Sequence, residues 1–265
     1  MDKRILSEIW IYPIKSLGGL RLSSSQVREK GLIYDRRWML IDEENVFMTQ
    51  RIFSKMALFK PSFKGNGFEI RFGEDTIHLP FDHKVIDIPI ETNVWDDKFV
   101  ALEVEGIYSS WFSQRLGMNC RLVFFPEGNS RPVDPNYAVN DEQVSLADAY
   151  PLLIIGQSSL NDLNGRLKEP LPMNRFRPNL VFTGGEPFEE DTWKNFRIGS
   201  NRFLGVKPCS RCIMITINQD TAEQGKEPLT TLSNYRSVNN KIRFGQNVLS
   251  IDHKEIHEGD EIFIE

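Results

Sequence analysis

The apolar residues of this chain come in short runs, rich in β-branched and aromatic side chains, that Gly, Pro, Asn and Asp cut at close intervals. Runs so brief cannot sustain the 3.6-residue periodicity of a buried helical face, but they suit strands joined by turns. In the first half SEIWIYPI, FEIRF, TIHLPF, VIDIPI and KFVALEV are strand candidates, and RWMLIDEENVFMTQR reads as a hairpin around Glu43, Glu44 and Asn45. PNLVF, RFLGVK, CIMITI, QNVLSI and EIFIE continue the pattern in the second half. The punctuation favours a meander or small barrel over a parallel sheet. Helices are few. One is expected from Ile107 to Leu116, with Ile107, Trp111, Phe112 and Leu116 on one face and Gly117 as the cap. Another should start at Ser159, with Asp162 as capping-box partner and Leu160, Leu163 and Leu167 as its buried stripe. The expected fold is mainly β with α: a β-barrel-like domain over residues 1–125, then a second β-barrel decorated by helices over residues 126–265. The polar, proline-bearing stretch 126–139 is the expected linker.

A chain of 265 residues with 40% hydrophobic residues can bury a substantial core. It has no apolar run long enough to cross a membrane as a helix, and Glu8 and Lys15 interrupt the segment that follows Lys3 and Arg4, so no membrane segment and a cytoplasmic location are expected. The net charge of −5 argues against nonspecific nucleic-acid binding, which needs a broad cationic face. Any anion site must be local.

Three cysteines, two of them in Cys209-Ser210-Arg211-Cys212, make a poor disulfide framework. A thioredoxin-like pair would need a helix after the cysteines, whereas IMITI favours a strand. A zinc site would need His253 and His257, which lie about forty residues away in a turn-like stretch. Both cysteines could instead be small core hydrophobes, although Arg211 and Lys207 make burial of the segment costly. The remaining reading is a single metal-ligating thiolate beside cations. Spacing alone does not choose among these four.

Longer motifs narrow the field. WIYPIKS at 10–16, DRRW at 35–38, DAYPLLI at 148–154, SLNDLN at 159–164, RFRPN at 175–179, CSRCIMIT at 209–216, EPLTTLSNYR at 227–236 and FGQN at 244–247 occur in an order that spans nearly the full chain. In this it resembles proteins of the molybdenum cofactor sulfurase C-terminal (MOSC) domain superfamily, closest in pattern to the mitochondrial amidoxime-reducing component and its bacterial relatives.

The resemblance implies a molybdenum-molybdopterin cofactor whose metal takes the Cys212 thiolate, with Cys209 as a neighbour. It also implies that Lys15, Ser16, Arg36 and Arg177 contact the cofactor phosphate, a task suited to guanidinium, ammonium and hydroxyl donors. Asp148, Ala149, Tyr150, Asn179, Ser210, Arg211 and Asn247 fall at or beside positions that line the family's cleft. Asp148 is the one candidate for a protein general acid. The implied activity is reduction of N-hydroxylated compounds such as amidoximes, hydroxylamines or N-hydroxy nucleobases. Electrons would come from a separate ferredoxin-, flavodoxin- or cytochrome-type protein, since neither a ferredoxin-like cysteine cluster nor a membrane anchor is present in the sequence. A sulfur-transfer role in cofactor maturation, or a non-catalytic cofactor-binding role, is the alternative. One departure stands out: the family's loop after the cysteines often ends Asp-Thr-Gly, where this chain has Asp220-Thr221-Ala222.

Overall fold

The computed structural model describes residues 3–265 and is built mainly of strands. Seven of them close a barrel. Leu152–Gly156, Leu180–Thr183, Arg4–Ile11, Glu261–Ile264, Asn195–Ile198, Asn201–Ser210 and Lys241–Ser250 pair in that cyclic order, and Lys241–Ser250 returns to Leu152–Gly156. All pairings are antiparallel except that between Leu152–Gly156 and Leu180–Thr183. Closure leaves no free sheet edge, which is how short strands avoid presenting unpaired backbone. The first strand of the chain thus belongs to a barrel otherwise made from residues after 150.

The rest of the first half forms smaller antiparallel sheets. Trp38–Ile41, Arg121–Phe124, Asp97–Val104 and Val85–Val94 make one of four strands, and Lys60–Lys64, Gly67–Phe72 and Asp75–Pro80 make a three-stranded meander. The largest core cluster joins both halves, packing Leu6, Ile9 and Ile11 with Trp38, Phe59, Phe112, Phe182 and Phe196. Among the described residues no helix is long and apolar enough to cross a membrane.

Several local expectations need correction. The hairpin at 37–51 keeps its first strand, but the return arm is only a bridge between Ile41 and Phe47, because the Thr49 carbonyl accepts from the amides of Ile52 and Phe53 and turns the chain away. That departure delivers Gln50 and Arg51 to the site described below. The first helix, Gly106–Leu116, ends as expected at Gly117 in the left-handed region, yet Ile107 is 65% exposed and Tyr108 takes its place beside Trp111 and Phe112. The second runs Gln157–Asn164, starting before Ser159. Ser159 makes no cap: its hydroxyl bonds the buried Glu190 carboxylate at 2.8 and 2.9 Å, and Asp162 instead pairs with Arg166. Leu160 and Leu163 are buried as expected.

The largest correction follows Cys212. Ile213–Thr216 is a 3-10 turn rather than a strand. Tertiary bonds override β propensity here: Arg175 Nε donates to the Ile215 carbonyl at 3.0 Å, and the Thr216 hydroxyl closes the turn onto the Ile213 carbonyl at 2.7 Å. The 126–139 stretch contains no regular element but is firmly held. Arg131, only 2% exposed, bonds the carbonyls of Ser145, Ala147 and Asp148 and the Asp97 carboxylate.

Candidate functional site

Six segments of the barrel and its flanking sheet converge on a cleft of about 370 Å³. The loop after Arg4–Ile11 brings Lys15 and Ser16. The turn before Trp38 brings Arg36, and the segment between Met173–Arg175 and Leu180–Thr183 brings Arg177 and Asn179. Asp148, Ala149 and Tyr150 precede the strand Leu152–Gly156, while Ser210, Arg211, Cys212 and Asn247 come from the end of one barrel strand and the middle of its neighbour. Every residue that the family resemblance marks as a site candidate therefore lines this one cleft.

The backbone at three of these positions is strained. Ser16, Arg36 and Arg177 hold positive φ of 66°, 51° and 54°, a conformation that costs a residue with a Cβ about 1 kcal/mol or more. Non-glycine residues in that region are uncommon, and three in one cleft mark a surface whose donors are aimed at the expense of local stability.

Two guanidinium groups of the cleft stack on one buried phenol. Arg36 and Arg177 lie 4.6 and 4.1 Å from the Tyr12 ring centroid. Arg36 pairs with the fully buried Asp35, and its pKa lies above the usual value because Asp35 and Tyr12 outweigh the penalty of burial. Arg177 has no carboxylate partner among the described residues. It donates to the Leu17 carbonyl at 2.7 Å, and burial, with Arg36 adding repulsion, brings it down to about 10. A buried guanidinium without a counter-ion is expensive unless an anion arrives. Both the Tyr12 and Tyr150 hydroxyls are buried without a hydrogen-bond partner among the described residues.

A second cluster surrounds the sulfur of Cys212. Arg51 Nε donates to it at 3.2 Å, Nη1 to the Thr49 hydroxyl at 3.1 Å and Nη2 to Asp148 Oδ2 at 2.8 Å. The other carboxylate oxygen of Asp148 accepts from Lys15 Nζ at 2.6 Å. Although burial alone would raise it, the carboxyl of Asp148 is held by these two cations well below the usual range. It carries no proton to give near neutral pH, so the general-acid role expected of Asp148 is replaced by that of an acceptor orienting Lys15 and Arg51. Burial pulls Lys15 down to about 8, against the attraction of Asp148.

Cys209 has its own partner, Arg211, whose Nη1 lies 3.1 Å from the sulfur and whose Nη2 donates to the Phe176 carbonyl at 2.6 Å. The two cysteines thus differ in surroundings: Cys212 faces the Arg51–Asp148–Lys15 chain and Cys209 does not. No group of three or more His, Cys, Asp or Glu side chains suited to a metal occurs among the described residues, so the zinc set with His253 and His257 is not assembled.

Seven cationic side chains line the cleft against the single carboxylate of Asp148, in a chain that is acidic overall. Three of them were not foreseen as site residues: Arg51, Lys207 and Lys241. Lys207 lies over the rings of Tyr137 and Tyr150, at 4.0 and 5.0 Å. No spacing signal marks Arg51, which reaches the cleft only because the hairpin's return arm breaks off.

Residues 141–263 match the MOSC domain, and residues 3–119 match the MOSC N-terminal beta barrel domain. The chain is 33% identical over 247 residues to mitochondrial amidoxime reducing component 2 of Bos taurus, covering 87% of this chain and 72% of that protein. It belongs to the MOSC-domain family. It is also 30% identical over 284 residues to mitochondrial amidoxime-reducing component 1 of Homo sapiens, covering 98% and 82%. With the molybdenum cofactor sulfurase of Oryza sativa subsp. japonica the identity is 31% over 276 residues, covering 96% of this chain. The chain spans about a third of the length of the sulfurases it matches.

The donor set of this MOSC-domain cleft fits an anionic, sulfur-ligated cofactor. It offers two cysteine sulfurs, each beside a guanidinium, a buried Arg177 without a carboxylate partner among the described residues and the unpartnered phenol of Tyr150, and soft thiolate ligation suits molybdenum. Because Lys15 titrates near 8, its charge is present at pH 7 and lost as the pH rises through about 8. Affinity of the cofactor-free protein for inorganic pyrophosphate should therefore fall roughly 3- to 10-fold between pH 7 and 9, while a Lys15→Arg protein, charged throughout, keeps it. Isothermal titration at the two pH values measures this.

Proposed function

We propose that this protein is a molybdenum-cofactor oxidoreductase that reduces N-hydroxylated compounds, and that Cys212 supplies the protein ligand to the metal. The observation that carries the reading is the Cys212 sulfur held by Arg51 inside a cleft lined by seven cations. Lys15, Ser16, Arg36 and Arg177 would hold the cofactor phosphate, and Asp148, Ala149, Tyr150, Asn179, Ser210, Arg211 and Asn247 would line the pterin. When bound, the cofactor supplies the two-electron chemistry of N–O cleavage. The overall change balances as amidoxime plus two electrons and two protons giving amidine plus water. Asp148 fixes Lys15 and Arg51, and Lys15, with a pKa near 8, can hold or release a proton at the working pH. The two electrons would come singly from a separate ferredoxin-, flavodoxin- or cytochrome-type protein.

Alignment with molybdenum cofactor sulfurases along nearly the whole chain favours a second reading, in which the same cleft binds the cofactor for sulfur transfer or maturation. Reduction of benzamidoxime by the cofactor-loaded protein with a chemical electron donor separates the two. Turnover to benzamidine is expected. A loaded protein that leaves benzamidoxime intact would favour the maturation role.

A further inference from the structure

Beside the Arg51–Cys212 contact stands a side chain that the cofactor reading does not use. Trp95 forms the tip of the hairpin between Val85–Val94 and Asp97–Val104, with Asp96 as its turn partner. Its φ is 56°, where such two-residue turns ordinarily place Asn, Asp or Gly. A bulky side chain in that region is an outlier, and strain of this kind gathers at working sites. Arg51 covers one part of the indole, 4.7 Å from the ring centroid, and Phe47 stands edge-on at 5.0 Å. Even so, 46% of the residue is open to solvent.

The indole is also fixed in place. Asp97, two positions on, is bonded by Arg131 at 2.7 Å, and the same guanidinium donates to the Asp148 carbonyl at 3.0 Å. The hairpin tip is thereby tied to the segment that carries Asp148. Two exposed apolar residues stand beside the same pair in the chain: Ile52, which follows Arg51, is 74% exposed, and Ile213, which follows Cys212, is 43% exposed. Through Arg51, an exposed aromatic ring thus stands one side chain away from the sulfur of the cationic cleft.

We infer that Trp95 is a specificity-determining residue whose exposed ring surface receives the planar aromatic part of an aryl N-hydroxylated substrate, while the N–OH group points to the Cys212 side. Flat rings pack on indole in offset or edge-to-face geometry, and the adjoining Arg51 gives the polar end a donor. The substrate class so selected is aromatic amidoximes and hydroxamic acids in preference to small aliphatic ones. This rests on the proposed reductase activity.

Two measurements on the cofactor-loaded protein test it. In the absence of an electron donor, benzamidoxime should quench tryptophan fluorescence saturably, with acetamidoxime at least tenfold weaker. Trp95 is the most exposed of the five tryptophans, and Trp38, Trp111 and Trp193 are buried. Under turnover, Trp95→Ala should lower the ratio of kcat/KM for benzamidoxime over acetamidoxime at least tenfold, mainly through KM, whereas Trp95→Phe keeps most of it. Saturable quenching without turnover of either oxime would leave the platform standing and sink the reductase reading. Turnover of both with an unchanged ratio in Trp95→Ala, or benzamidoxime that leaves the wild-type fluorescence unaltered, would overturn the platform. An equal loss on both substrates would also overturn it and mark Trp95 as structural or as a contact for the donor protein.

Discussion

Cys212→Ser should lose reductase activity by roughly 100-fold or more and retain little molybdenum, while Cys209→Ser keeps most of both. Even groups that only support a metal's ligands typically cost 10- to 100-fold in affinity or activity when removed, and a hydroxyl is a poor substitute for a soft sulfur donor. The asymmetry between the cysteines comes from their partners. Arg51 ties the Cys212 sulfur to Asp148 and Lys15 in the cleft, whereas Arg211 ties Cys209 to the Phe176 carbonyl. Side-by-side assay of benzamidoxime reduction and metal content in the two variants reads the difference. Equal losses in both would mean that the pair acts as a unit, and full activity in Cys212→Ser would remove the ligand assignment.

Gly245→Val should destabilise the fold by roughly 2–5 kcal/mol, from about 1–2 for a left-handed backbone and about 1–3 for overpacking. Gly245 has φ 79° on the strand that closes the barrel, and a Cβ there would come within 2.6 Å of Ile155 Cγ1 and 3.0 Å of the Ile154 carbonyl oxygen. Neither the backbone nor the packed isoleucine can move away without opening the pairing of Leu152–Gly156 with Lys241–Ser250. At about 2–4 °C per kcal/mol for a chain of this size, Tm should fall by roughly 4–20 °C. The nearby Asn247 lines the cleft, so ligand binding should weaken in parallel. A loss below about 1 kcal/mol in thermal or urea unfolding would show that the barrel seam is looser than its geometry indicates.

Strands were legible where their signal is local: β-branched runs bounded by turn residues mark Leu180–Thr183, Asn201–Ser210, Lys241–Ser250 and Glu261–Ile264, but Leu152–Gly156 and Asn195–Ile198 were not among the expected strands. What failed were features decided by distant partners. Ile213–Thr216 has strand propensity, yet Arg175 draws it into a 3-10 turn. Ser159 has the composition of a cap, yet Glu190 takes its hydroxyl. The closing of one barrel by residues from both ends of the chain is likewise nonlocal, since nothing in Arg4–Ile11 announces Leu180–Thr183 and Glu261–Ile264 as its neighbours. At the site, motif resemblance located residues that composition could not rank, and all of them share the cleft. Arg51 was invisible because its position depends on the hairpin arm that breaks off at Thr49. Asp148, the one candidate for a general acid, loses that role for a related reason: the two cations that hold its carboxylate come from distant segments.

The central claim is that this cleft holds a molybdenum cofactor through Cys212. Elemental analysis by inductively coupled plasma mass spectrometry, on protein made in a host with an intact cofactor pathway, tests it most directly. Near-stoichiometric molybdenum in the wild type, sharply reduced in Cys212→Ser, is the expected result. Stoichiometric zinc with no molybdenum would contradict it.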